Sequence, residues 1–71
     1  MKHYRYDMYS AFRSGIKEHP QKQMENLGYN VVKAEPVTIA DCWWFRVDND
    51  IENTPDYLYL MSDDFKFSDE R

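Results

Sequence analysis

The sequence holds one cysteine, two glycines and two histidines among 71 residues, and each scarcity narrows what the chain can do. Cys42 has no partner for an internal disulfide, and secreted domains of this size usually depend on several. A reducing, cytoplasmic setting is therefore expected. Gly15 and Gly28 are too few to build a glycine-rich phosphate cradle, which excludes nucleotide binding through such loops. His3 and His19 lie far apart, with no cysteine or paired carboxylate at ligand spacing beside either, so no zinc site is expected. The longest uninterrupted apolar run is Cys42 to Phe45, which predicts neither a signal peptide nor a membrane span.

Aliphatic residues are also scarce. Isoleucine, leucine and valine supply three, three and four residues, whereas Tyr, Phe and Trp supply six, four and two. The core must be built from rings. A chain this short forms one domain, residues 1–71, and leaves roughly 40% of its surface unburied, which disfavours a deep enclosed substrate cavity. Residues 68–71 are expected to fray.

Thirteen acids against nine bases give a net charge of −4, the wrong sign for gripping a phosphate backbone. The total hides a polarity. Residues 1–34 carry Lys2, Arg5, Arg13, Lys17, Lys22 and Lys33 against Asp7, Glu18 and Glu25. Residues 35–71 carry ten acids, from Glu35 to Glu70, against Arg46, Lys66 and Arg71. An acidic second half read this way points to a contact surface for a larger, basic partner.

Periodicity predicts an α+β domain in which an N-terminal helical segment, one kinked or two short helices, packs on a three- to four-stranded antiparallel sheet. Met8, Phe12 and Ile16, then Met24 and Leu27, form a helical stripe with Asp7 as its N-cap. His19-Pro20 interrupts the stripe, so a second helix is expected from Pro20 to Leu27, stopped by Gly28. His19 is expected at the C-terminal end of the first helix. Residues 3–9 also fit a strand, because Tyr4, Tyr6 and Met8 alternate with Arg5, Asp7 and Tyr9. Strands are then expected at Tyr29–Ala34, Thr38–Val47 and Tyr57–Met61, with a short edge piece at Phe65–Phe67, all joined as a meander. Trp43 and Trp44 must point to opposite faces.

Reactive chemistry has little to build on. Asp48-x-Asp50-x-Glu52 has the opening spacing of a calcium loop, but Asn53 stands where that loop turns on glycine and Tyr59 where it needs a bidentate glutamate. It reads as a solvated turn, with no metal. Cys42, set beside Asp41 and between rings, reads as an inert thiol. No catalytic residue, cofactor or metal ligand is assigned.

The favoured expectation is a small, acidic, non-enzymatic binding protein that works by protein–protein contact. Its contact residues would be the rings Trp44 and Tyr59 with the carboxylates Asp48, Asp50, Glu52, Asp56, Asp63 and Asp64, a set able to imitate a nucleic-acid backbone. In composition the chain looks like the small inhibitors that phages and other mobile elements encode against bacterial nucleases and defence complexes, a likeness that rests on no motif. The alternative is a nucleic-acid-associated regulator using Lys2, Arg5, Arg13, Lys17 and Lys22 as a basic helical face. A homodimer through an edge at Phe65–Phe67 is a further expectation.

Overall fold

A computed structural model describes all residues from Met1 to Arg71. In chain order the elements are strand β1 (Lys2–Asp7), helix α1 (Met8–Arg13), helix α2 (Pro20–Asn26), strand β2 (Val31–Val37), a 3-10 turn (Thr38–Ala40), strand β3 (Cys42–Val47), strand β4 (Leu58–Leu60) and a second 3-10 turn (Ser68–Glu70). The domain is α+β, with two short helices and one four-stranded antiparallel sheet. The strand order is β2-β3-β1-β4, so the sheet is not a simple meander. Residues 3–9 resolve as a strand up to Asp7, and that strand takes the place beside β3 and β4 that sequential pairing would have left to its neighbours.

Tyr4 and Tyr6 explain why. Both lie opposite aromatic residues of β3, with Tyr4 facing Phe45 and Tyr6 facing Trp43 in register. A central strand can bury both its faces, and a period-two pattern of rings serves that better than a helix that would expose half of them. Tyr4, Tyr6, Phe45, Val47 and Leu58 supply the sheet side of a buried cluster closed from above by Ala11, Met24, Tyr29 and Tyr57. Tyr6 meets Tyr57 edge-on, with ring centroids 5.1 Å apart, and Phe45 at 6.0 Å. Such tilted contacts align the positive edge of one ring with the negative face of the next.

The helix boundaries follow their caps. Asp7 ends β1 and caps α1, its carboxylate accepting from the Tyr9 N–H at 3.1 Å and from the Ser10 hydroxyl at 3.1 Å. α1 stops at Arg13 because Gly15 turns the chain with φ +87°. Pro20 opens α2 in the first helical position, and Gly28, at φ +104°, terminates it. His19 does not end a helix. Its Nδ1 accepts from the Gln21 N–H at 3.1 Å, which makes it the N-cap of α2; an imidazole nitrogen supplies the acceptor that a serine or aspartate usually provides.

Two strand expectations also shift. β2 runs through Pro36 to Val37, which it can do because it lies at the sheet edge, where proline's missing donor faces away from the ladder. Residues 38–41 are not strand: Thr38–Ala40 form the 3-10 turn, and Asp41 takes the left-handed conformation, φ 51° and ψ 48°, to reverse the chain into β3. That reversal throws Ile39 into solvent.

The second face of the sheet is covered by the chain's own end. After β4 the segment from Ser62 crosses this face, Phe67 is fully buried, and the 3-10 turn Ser68–Glu70 lies against β2 and β3. The expected frayed tail at 68–71 is therefore not what forms: Asp69 and Glu70 pair with Lys33 and Arg46, each at 2.7 Å, and Ser68 bonds to Glu35. Phe65–Phe67 is likewise a layer over the sheet and not an edge strand. No helix is long and apolar enough to cross a membrane.

Candidate functional site

The side chains expected to contact a partner occupy three separate places. Trp44 lies on the second face, half-buried, edge-on to Phe65 at 5.0 Å, with the Arg71 guanidinium 5.3 Å from its ring centre. Trp43 points the other way, as the strand period requires, and is wedged between Phe45 and His19. Neither indole stands free. Tyr59, on β4, is exposed but roofed by the Arg5 guanidinium at 4.7 Å.

Asp48, Asp50 and Asp63 gather at the end of the sheet where β1 begins. Lys2 Nζ lies 2.7 Å from Asp50, and the field of Asp63 adds to that contact. Both raise the basicity of Lys2, its hydrogen bond to Asp50 contributing most. Asp48 accepts two bonds from the Asn30 amide, at 2.7 and 2.8 Å, and so fixes the start of the β3–β4 connection. Asp64 accepts from the Ser62 hydroxyl. Glu52 and Asp56 are exposed on the connection between β3 and β4 and make no bond. The carboxylates are thus partly engaged in the fold, while the two rings share the second face of the sheet.

The proposed basic helical face is also divided. Lys2 and Arg5 belong to β1, and Lys17 sits in the connection between the helices. Arg13, Lys17 and Lys22 remain without an ion pair.

Three large exposed apolar side chains lie at the opposite end of β1 from the carboxylates, while Met1, Val32, Tyr59 and Leu60 are exposed elsewhere. Phe12 is 72% exposed, Tyr9 60% and Ile39 98%. At this end are two open hollows that share Met8, one of them lined by Phe12. One, of about 290 Å³, lies between α1 and the following connection and is lined by Tyr6, Met8, Ala11, Phe12, Ile16 and Pro20, with Lys17 and Glu18 at the rim. The other, of about 350 Å³, lies beside the 3-10 turn and includes Pro36, Val37, Cys42 and Trp43. The Met8 N–H donates to the Asp41 carbonyl at 3.3 Å, which ties the two together. A run of six strand residues separates this end from the acidic one, roughly 17 Å along β1.

Phe12 stands four positions from Met8 and from Ile16, a spacing that predicts one apolar helical stripe. Ser14-Gly15 ends the helix after six residues, before Ile16 can join it. In so short a helix Ala11 is the residue that faces inward, and Phe12 projects.

Cys42 is buried, and burial raises its thiol above the ordinary range, with Asp7 and Asp41 adding to the effect and Arg5 opposing it. Burial similarly pushes the Tyr6 hydroxyl up to about 12. No group of three or more His, Cys, Asp or Glu side chains is placed to hold a metal ion. Comparison with known proteins finds no match to any family model, curated protein or solved structure.

Proposed function

We propose that this chain is a small non-enzymatic binding protein that acts by protein–protein contact, and that its contact surface is the end of the molecule formed by α1 and the Thr38–Ala40 turn. One observation carries the reading: Phe12 stands in solvent while lining an apolar hollow, a second apolar hollow adjoins it through Met8, and Tyr9 and Ile39, on α1 and the Thr38–Ala40 turn, are exposed at the same end. Exposed rings and aliphatic side chains beside a groove are the anchors from which interfaces draw most of their binding energy. The acids at the far end of β1 serve solubility and long-range steering, which act on association rate more than on residence time. Obstruction of a larger protein's working surface, the inhibitor role suggested by composition, needs nothing beyond such a docking face.

The test is affinity capture from lysate of the organism that encodes the chain, using three baits. These are the wild-type protein, a Phe12→Asp/Ile39→Asp variant, and a variant with Asp48, Asp50, Asp63 and Asp64 changed to Asn. A protein retained by the wild type and the acid-neutralised bait but absent from the apolar-end variant is the expected result. Retention by the apolar-end variant with loss from the neutralised one would return the contact to the acidic end. The nucleic-acid reading draws on the unpaired Arg13, Lys17 and Lys22; salt-sensitive retardation of DNA or RNA, abolished by Arg13→Glu/Lys17→Glu, would favour it instead.

A further inference from the structure

The segment from Ser62 to Arg71 is a strap laid over the second face of the sheet. Phe65 and Phe67 rest on the His3 ring, with centroids 5.3 and 6.1 Å away, and Phe65 also covers Trp44. Lys33 and Arg46 lie over Phe67 at 5.0 and 5.1 Å, and pair with Asp69 and Glu70. His3 is the side chain at the centre of this layer, buried between β1 and the strap.

Its protonation state is fixed by its neighbour. The Arg46 Nε–H donates to His3 Nε2 at 2.9 Å. A guanidinium keeps its protons at any ordinary pH, so Nε2 must be the bare nitrogen and the neutral ring must carry its proton on Nδ1. That Nδ1 is buried with no hydrogen-bond partner. Adding a proton to Nε2 removes the acceptor from Arg46, sets two cations against each other, and leaves both ring N–H groups without an acceptor beneath the phenylalanines.

The geometry points to His3 as an acid-sensitive latch: protonation of its imidazole releases the strap Ser62–Arg71 from the sheet and uncovers Trp44.

The charges facing His3 divide as follows. Arg46 of β3 and the chain's amino group oppose a positive ring, while Glu70 of the strap and Asp63 before it favour one. Lys33 of β2 lies across Phe67, and Arg5 follows on the same face of β1. Burial is the largest influence, Arg46 the next, and together they lower the basicity of His3 below its ordinary 6.5. The sign follows from linkage. The released state binds the proton more readily than the docked one, so docking is at full strength above about pH 6.5 and weakens as the pH falls below it. Glu70 is held to about 2 by Arg46 and the Phe67 N–H, so its carboxylate stays ionised through that window and the Arg46–Glu70 contact is not what fails.

The test is a titration from about pH 7.5 to about pH 5, followed by ¹H–¹⁵N NMR with amide exchange, on a His19→Asn variant. Asparagine keeps the α2 cap and leaves His3 as the one imidazole. Three signals are expected to change with a common midpoint below 6.5: the His3 ring, the Trp44 indole, and the exchange protection of the Phe67 and Glu70 amides. Each unit between the docked and released pKa values multiplies the released fraction about tenfold. On the same background, His3→Gln offers Arg46 an uncharged acceptor, and the strap is expected to stay protected to pH 5. Loss of protection in His3→Gln equal to that in the parent would overturn the latch, as would a His3 that titrates while the Phe67 and Glu70 amides stay protected. A His3 that stays neutral down to pH 5 overturns it as well. Should His3→Gln fail to fold, the parent's own midpoints decide: coincidence of ring and strap supports the latch, and separation rejects it.

Discussion

The side-chain amide of Gln23 donates to the hydroxyl of Tyr57 at 2.9 Å, joining α2 to the residue ahead of β4 across 34 positions of sequence. Both residues are buried, so neither atom has water as a substitute. Tyr57→Phe is expected to lower unfolding stability by about 1–3 kcal/mol, because the amide is left without an acceptor. Adding Gln23→Leu to Tyr57→Phe should recover part of that loss, and urea denaturation of the two single variants and the double one measures the coupling. Independent, additive costs would show that the bond contributes nothing of its own.

Gly28 ends α2 in a left-handed conformation, φ +104°. A Cβ there would meet the Ile51 Cγ2 at 3.6 Å, an ordinary contact, so space is not the constraint. Gly28→Ala is expected to destabilise by about 1–2 kcal/mol through backbone strain alone. Thermal unfolding should show the same loss in an Ile51→Val background; a loss removed by that change would place the cost in packing instead.

The Glu70 carboxyl sits far below the ordinary 4.5, at about 2, because Arg46 bonds to it and the Phe67 N–H donates to it. A carboxyl with a lowered folded pKa contributes stability above its unfolded value and loses it as the pH falls toward the folded one. Between about pH 4.5 and 2 the wild type should therefore lose stability more steeply than Glu70→Gln. Parallel profiles in chemical denaturation over that range would contradict the assignment.

Phe12 and Ile39 separate binding from folding. Both project into solvent, and surface substitutions of this kind usually change stability by no more than about 0.5 kcal/mol. Phe12→Ala and Ile39→Ala are expected to melt close to the wild type, whereas affinity for a captured partner falls at least about tenfold if each anchors the contact, by roughly the 1.4 kcal/mol that tenfold represents. A large drop in melting temperature would mark either side chain as part of the fold.

Local signals in the chain were legible where the physics is local. Asp7 as a cap, Pro20 as a helix start and Gly28 as a stop each depend on neighbours within a few residues, and all three operate in the structure. The opposed directions of Trp43 and Trp44 follow from strand geometry alone. What the pattern could not supply was pairing. Tyr4 and Tyr6 fit two periods until Phe45 and Trp43, some forty positions on, decide in favour of the strand. The fate of Phe65 and Phe67 hangs on the second face of the sheet, which strand order decides, and whether Trp44 is covered depends on the same face. Phe12 differs for another reason: a four-residue spacing gives a continuous buried stripe only if the helix is long enough to have one, and α1 is six residues long.

Pro36 lies in the edge strand β2, and the pairing of β2 with β3 is interrupted by a register shift between Val31 and Lys33. At the opposite margin β4 is only three residues long. A neighbouring molecule seeking to add its own strand meets a missing donor and an irregular ladder on one flank and too short a template on the other. Crowded solutions of this protein should accordingly resist fibre growth, and encounters between copies are left to side chains.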